Sequence, residues 1–193
     1  MSAEGGGCAD VQCVTGLRAQ MQDAATAKRL SARLRGQILP DVELSTADTI
    51  EVPLLARVCG LVVVYFVPGE MEGAAWVDGA PTRDAAQHRG YVKRRAAFEQ
   101  LNVTVFCVSS QPQEQLRRIA HFIEARHVMF SDPELVLATE LGLPTEHAGG
   151  VSVYRRVAIV AINGRIERAF GPLSRRDAAG SAHQVLTWLQ ATC

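Results

Sequence analysis

The residues best suited to chemistry in this sequence are its five cysteines, because a thiolate is a nucleophile and a metal ligand. They are Cys8, Cys13, Cys59, Cys107 and Cys193. Their odd number and scattered spacing do not predict a disulfide framework, and no two form a C-x-x-C pair. We interpret Cys8 and Cys13 as incidental thiols; a redox or metal pair is the alternative, although no second ligand pair completes a zinc site. Cys107 lies within an apolar run and is predicted to be a buried, inert thiol.

A second candidate for chemistry is the segment at 62–95, VVVYFVPGEMEGAAWVDGAPTRDAAQHRGYVKRR. It runs from an apolar strand through a Gly/Pro/Ala loop into a basic helix. A loop at the carboxyl end of a buried strand is where an α/β protein usually keeps its reactive group. Yet the segment holds no cysteine, no serine and no paired carboxylates.

Composition narrows the class of protein. The 193 residues suit one domain with a sizeable core. With 20 basic and 20 acidic residues the formal net charge is zero, so we expect neither nucleic acid nor a membrane as partner. No apolar run reaches the roughly 20 residues of a membrane span, and the start lacks the features of a secretory signal. We therefore expect a cytoplasmic protein.

Hydrophobic periodicity predicts the elements that position these residues. An amphipathic pattern indicates a helix over 15–34, and the runs LVVVYFV and NVTVFCVSS indicate buried strands at 61–67 and 102–110. Further helices are predicted at 84–101, 111–127 and 176–191. Asp132 is expected to cap a helix with Pro133 at its first position and Gly142 at its end. Asn163-Gly164 predicts a hairpin within 151–170.

Parallel β–α–β units followed by an antiparallel hairpin and a helix predict a mixed sheet with helices on both faces. The fold class is thus α/β and thioredoxin-like, with an extra N-terminal helix. The predicted organisation is a disordered tail at 1–13, a helix within 14–38 and the main domain at 39–193.

Several stretches resemble peroxiredoxins: LPDVEL, VVVYFVPG, SDPELVLATELGLPT and YRRVAIVAINGRIERAF. The likeness runs from about Leu39 to the C-terminus and is strongest to the alkyl hydroperoxide reductase/thiol-specific antioxidant and bacterioferritin-comigratory branch. It implies a peroxidatic cysteine at the start of the helix that follows VVVYFVPG. It also implies an arginine from the later hairpin that stabilises the thiolate, and Arg156 best fills that place, with Arg155 as its neighbour.

The sequence departs from the family at the decisive position. Counting back from Phe98 along the matching helix places the peroxidatic position near Gln87, with Ala85 and Ala86 as nearby choices. None of these is a cysteine. The resemblance therefore implies a retained scaffold with a different group at the reactive position. Around that position it implies a pocket formed by Pro68, Trp76, Pro81, Asp84, Arg89 and Tyr91.

Two residues near this position have competing interpretations. His88, beside Arg89 at a helix start, could act as a general acid/base or bind an anion, or it could be an exposed surface residue, which the sequence slightly favours. Arg156, in an apolar strand, faces a pocket or forms a salt bridge. With Gln87 they form the candidate catalytic set. The remaining histidines show no metal-ligand spacing: His121, His127, His147 and His183. Neither a metal nor a cofactor is predicted.

Three functions remain open. The first is a peroxiredoxin-like protein whose pocket binds a small molecule or catalyses a non-peroxidatic reaction, for example in secondary metabolism. The second is a thiol-dependent antioxidant or oxidoreductase that uses Cys107 or an N-terminal cysteine. The third is an inactive binding or regulatory module. The resemblance also leads us to expect a homodimer.

Overall fold

The computed structural model describes residues 23–48, 51–69 and 85–192. Some predictions fall outside these ranges, namely those for the tail at 1–13, Trp76, Pro81, Asp84, Cys8, Cys13 and Cys193. The division into domains stays a prediction.

The described chain contains nine strands and six α-helices. The strands are β1 (Glu43–Thr46), β2 (Glu51–Pro53), β3 (Leu61–Val67), β4 (Val103–Ser109), β5 (Val128–Ser131), β6 (Thr145–Ala148), β7 (Val151–Tyr154), β8 (Arg156–Ile162) and β9 (Arg165–Leu173). The helices are α1 (23–34), α2 (Ala85–Lys93), α3 (Arg95–Gln100), α4 (Gln113–Phe122), α5 (Val136–Leu141) and α6 (Ser181–Thr192), and a 3₁₀ turn at Ala178–Gly180 precedes α6.

Seven strands form one mixed sheet in the order β2-β1-β5-β4-β3-β8-β9. The central strands β3, β4 and β5 are parallel, whereas β8 pairs with β3 in the antiparallel sense. β3 is buried almost throughout because it is a continuous run of β-branched and aromatic residues with sheet on both sides. The predicted thioredoxin-like α/β fold is therefore confirmed.

Each face of the sheet has its own hydrophobic core. Val62, Val64 and Phe66 of β3 point to the face covered by α1 and α5. The alternate residues Val63 and Tyr65 point to the other face, where α2, α3, α4 and α6 pack. Helix α1 belongs to the first core through Leu30 and Leu34, both buried. No helix in the described ranges is long and apolar enough to span a membrane.

Four helices differ from the sequence predictions. The helix predicted at 176–191 begins at Ser181, after a 3₁₀ turn. The helix predicted at 84–101 is divided at Arg94, which adopts φ −105° and ψ 10° between α2 and α3. The helix predicted at 111–127 is shorter, because α4 ends at Phe122.

The helix expected to begin at Pro133 begins instead at Val136. Leu135 precedes it in the left-handed conformation. Asp132 accepts hydrogen bonds from the N–H groups of Val136 and Leu137, so its capping role is real although it acts across a longer turn. Gly142 ends the helix as predicted, with φ 59°.

Candidate functional site

Helix α2 packs on the face of the sheet to which Tyr65 of β3 points. Tyr65 of β3, which pairs with Ala158 of β8, stacks its ring on Tyr91 of α2 with the centroids 4.0 Å apart. The close packing of α2 against the turn before α6 depends on Gly90, since a Cβ at this position would lie 3.0 Å from the carbonyl oxygen of Ala179. This packing places one side of α2 within the protein interior.

Gln87 lies on that interior side and is completely buried. Its Nε2 donates to Ser181 Oγ over a long 3.4 Å, and the hydroxyl of Tyr91 lies 3.2 Å from the same oxygen. The other amide atom, Oε1, is buried and has no hydrogen-bond partner among the described residues. An unmatched buried acceptor costs about 1–3 kcal/mol, so this atom is suited to receive a donor from a bound molecule.

His88 is also buried, with 2% of its surface exposed, so the expectation of an exposed surface residue is wrong. Its Nδ1 lies 2.9 Å from the hydroxyl of Tyr65. Burial, helped by the nearby His127, lowers the pKa of His88 to about 3. The imidazole is therefore neutral at pH 7. It is suited to hydrogen bonding and proton transfer but not to holding an anion by charge.

His127, like Tyr65 and Ser181, belongs to this cluster but was not among the site residues predicted from the sequence. Its Nε2 lies 2.7 Å from the Tyr65 hydroxyl, so that hydroxyl is shared by two histidines. Burial lowers the pKa of His127 to about 4. One signal in the sequence pointed here: a tyrosine in a fully buried strand needs a partner for its hydroxyl group. The sequence does not identify the residue that forms this hydrogen bond.

Cys107 completes this cluster on the neighbouring strand β4. Its Sγ lies 3.9 Å from Nδ1 of His88, and the residue is completely buried. Burial raises the pKa of the thiol well above its ordinary range. Cys107 is thus a neutral thiol at physiological pH, as expected for a cysteine within a core strand. Cys59, by contrast, is exposed.

Arg156 begins β8 and is buried, with 6% of its surface exposed. Because side chains alternate along a strand, it lies on the same face of the sheet as Ala158, the face that α2 covers. The backbone is closely packed there, since a Cβ at Gly171 would lie 2.5 Å from the carbonyl oxygen of Arg156. Arg155 differs, because it is only partly buried and its Nε lies 3.9 Å from a carboxylate oxygen of Glu146.

The structure separates two of the predicted pocket residues from this cluster. Arg89 is exposed, and its guanidinium lies over the ring of Phe122 in α4, 5.8 Å from the centroid. Pro68 follows β3, and its carbonyl accepts a hydrogen bond from Ser110 Oγ. It lines a cavity of about 340 Å³ with residues that follow β4 and β5 and with β7, rather than with α2. Gln87, His88 and Tyr91 all contribute to the cluster under α2.

The described residues contain no group of three or more histidine, cysteine or acidic side chains that could hold a metal ion. The polar groups under α2 form a hydrogen-bonded cluster. It comprises the amide of Gln87, the hydroxyls of Ser181 and Tyr91, and the chain formed by His88, Tyr65 and His127.

Comparison with known proteins gives a fold but no sequence family. No protein-family model and no curated protein matches the chain. Similar solved structures include reduced Prx3 of Vibrio vulnificus in complex with H₂O₂, at 22% identity and a TM-score of 0.68, where the match covers 82% of this chain and 96% of that one. Peroxidoxin BcpB of Mycobacterium tuberculosis is 16% identical with a TM-score of 0.66, covering 82% and 97%.

A structure of Xanthomonas campestris peroxiredoxin Q is 17% identical with a TM-score of 0.64, covering 82% of this chain and 98% of that one. The neighbours are thus peroxiredoxins matched over nearly their whole length. The likeness establishes a thioredoxin-like fold of the peroxiredoxin type for this chain.

Proposed function

We propose that this protein uses the peroxiredoxin fold to bind a small molecule, or to catalyse a reaction other than thiol peroxidation, at the α2 position where that fold carries its reactive cysteine. The proposal includes an enzyme of secondary metabolism as one such function. The observation that carries the proposal is Gln87, a buried amide with an unmatched acceptor oxygen at the position that the resemblance assigns to the thiol.

An amide changes what this position can do. Peroxide reduction requires a nucleophile that attacks oxygen, and a thiolate supplies it whereas a carboxamide does not. No cysteine lies between Cys59 and Cys107 in the sequence. The carboxamide of Gln87 offers two donors and an acceptor in a fixed plane, which are the features of a recognition group. A ligand that donates an N–H or O–H to Oε1 would satisfy the unmatched atom.

Arg156 supports the chemical class of this ligand. It shares the α2-covered face of the sheet, and a guanidinium is suited to bind a carboxylate or another planar anion. A polar molecule that carries both a hydrogen-bond donor and an anionic or strongly accepting group is therefore the class of ligand that we propose. His88, neutral and adjacent to Gln87, is available as a proton donor or acceptor.

The alternative function, a thiol-dependent antioxidant, needs an accessible thiolate. Cys107 does not supply one in this structure, because the thiol is completely buried and its pKa is raised. Cys8 and Cys13, the N-terminal candidates, lie outside the described residues. A homodimer and a cytoplasmic location remain predictions from the sequence.

A peroxide-consumption assay tests the first part of the proposal. With hydrogen peroxide and either dithiothreitol or thioredoxin, we expect the wild type to show no turnover that depends on Cys107. Cys107→Ser should therefore behave as the wild type does, and Cys59→Ser, which removes an exposed thiol, is the matched control. Turnover in the wild type that Cys107→Ser abolishes would contradict the proposal.

Native mass spectrometry of the purified protein tests the binding part. Gln87→Met keeps the length of the side chain but removes the amide oxygen and nitrogen, and Gln100→Met makes the same change at an exposed position of α3. We expect a small-molecule adduct that the wild type and Gln100→Met retain and Gln87→Met loses. An adduct that persists in Gln87→Met, or loss in both variants, would show that the ligand does not use this amide.

A further inference from the structure

A second cavity lies away from Gln87, between α3 and the loop that follows α4. Its volume is about 280 Å³. The apolar side chains that line it include Tyr91, Phe98, Val103 and Val105. Neither Gln87 nor Arg156 contributes to it. Ligand cavities in proteins start at about 300 Å³, so this one suits a molecule of a single ring or a short branched chain.

His127 connects this cavity with the buried hydrogen-bond chain. The residue lines the cavity, and its Nε2 is occupied by the Tyr65 hydroxyl. Its other nitrogen, Nδ1, makes no hydrogen bond to a described residue and is not among the buried atoms that lack a partner. Solvent therefore reaches Nδ1, and this nitrogen is the polar group that the cavity can offer to a ligand.

The hydrogen bonds from Tyr65 to His127 and His88 determine whether Nδ1 of His127 carries a proton. A tyrosine hydroxyl has one proton, so it donates to one histidine and accepts from the other. If Tyr65 donates to Nε2 of His127 and accepts from Nδ1–H of His88, neutral His127 carries its proton on Nδ1. Reversing both hydrogen bonds leaves Nδ1 of His127 as an acceptor. A ligand that accepts a hydrogen bond from Nδ1–H therefore selects the first arrangement.

The charged residues at this cavity favour an anion. Arg95 is paired with Glu99 at 3.3 Å, an exposed ion pair that leaves no net charge. Arg126 is exposed, lines the cavity and has no ion-pair partner among the described residues. The cavity therefore carries one uncompensated positive charge beside an apolar interior.

We propose that this cavity is a binding site for a small organic carboxylate. The apolar body of the ligand lies against Phe98 and Val105, its carboxylate pairs with Arg126, and one carboxylate oxygen accepts a hydrogen bond from Nδ1–H of His127. A planar carboxylate matches the guanidinium of Arg126 geometrically, whereas the apolar lining disfavours an inorganic anion without an apolar body. The cavity shares Tyr91 and His127 with the cluster under α2 but does not include Gln87, so the benzoate titration and the Gln87 variants test the two proposals separately.

Calorimetric titration with benzoate tests the site, because benzoate has one ring and one carboxylate. We expect 1:1 binding to the wild type and at least about tenfold weaker binding to Arg126→Gln, since a charge-assisted hydrogen bond contributes about 1.5 kcal/mol or more. Arg117→Gln, which removes an exposed arginine of α4 outside the cavity, should bind as the wild type does. Benzyl alcohol, which has no charge, should bind at least about tenfold more weakly than benzoate.

Nitrogen-15 NMR of the imidazoles provides the second readout. Benzoate should move the His127 signals towards the Nδ1–H form and His88 with them, which simple charge neutralisation at Arg126 would not do. No benzoate binding, or binding that Arg126→Gln leaves unchanged, would overturn the proposal. Tighter binding of inorganic phosphate than of benzoate would assign the cavity to a different class of anion and would also overturn it. Arg126 is exposed, so loss of folding does not complicate the comparison.

Discussion

Mild acid should destabilise this protein strongly, because two histidines are held neutral in its interior. Burial lowers the pKa of His88 to about 3 and that of His127 to about 4, whereas both titrate near 6.5 in the unfolded chain. Below pH 6.5 the unfolded state therefore binds protons that the folded state does not. Stability from these groups is complete above pH 6.5 and is lost as the pH falls from 6.5 to about 4 for His127 and to about 3 for His88.

The size of the effect follows from the width of this window. At pH 5, 1.5 units below the unfolded value, each histidine reduces the free energy of unfolding by about 2 kcal/mol, at about 1.4 kcal/mol per unit. The two together give about 4 kcal/mol, against a total stability of about 5–15 kcal/mol for a typical domain. Tyr65 and Cys107 contact His88, and Tyr91 stacks on Tyr65. All three stay neutral throughout, because burial raises their pKa values.

Urea unfolding followed by circular dichroism at pH 7.5 and pH 5 measures this difference. His127→Gln should reduce the acid-induced loss by about half, since one of the two groups no longer titrates. His183→Gln replaces an exposed histidine of α6 and should leave the loss unchanged. A free energy of unfolding that is the same at both pH values, or an equal loss in His127→Gln and the wild type, would refute the reasoning.

Three further predictions concern other buried groups of the protein. Tyr65→Phe leaves two histidine nitrogens without their shared partner and should lower the free energy of unfolding by about 2–4 kcal/mol. Tyr91→Phe loses one long hydrogen bond to a serine and should lower it by about 1 kcal/mol in the same urea assay. Asp132→Ala should lower the free energy of unfolding by about 3 kcal/mol or more, because Asp132 accepts hydrogen bonds from two backbone N–H groups and from the hydroxyl of a buried tyrosine. A decrease below about 1 kcal/mol in chemical denaturation would contradict this. Iodoacetamide should modify Cys59 in the folded protein but Cys107 only after unfolding, as peptide mass spectrometry can show; equal labelling would contradict the burial argument.

The fold could be predicted because its strongest elements are defined locally. β3 and β4 are continuous apolar runs, and the β8–β9 hairpin is marked by Asn163-Gly164, both of which have positive φ. The helix after Asp132 shows the limit of such signals. Its capping side chain and its terminal Gly142 were recognisable, but the turn between Asp132 and Val136 depends on Leu135 in a left-handed conformation that leucine rarely adopts.

The candidate site was less predictable because its contacts join distant parts of the chain. The resemblance places Gln87 and His88 on α2, but the sequence does not determine the rotation of α2 that decides whether His88 faces solvent or the interior. That rotation is set by the stacking of Tyr65 on Tyr91 and the close approach at Gly90. His127 shows no metal-ligand spacing, and its partner is a tyrosine 62 positions away along the chain. A contact over that separation leaves no local pattern in the sequence.

The buried chain of His88, Tyr65 and His127 is hard to explain by stability alone. A well-packed apolar cluster would fill the same space without the acid sensitivity derived above, and buried polar networks add stability only when every member is satisfied. Here the chain reaches solvent at Nδ1 of His127 and ends beside Gln87 on α2. A carboxylate in the α3–α4 cavity would fix the His127 tautomer, and through Tyr65 it would leave Nε2 of His88 as an acceptor. The two proposed sites would then be coupled through one proton position, which gives this polar chain a role that an apolar core cannot fill.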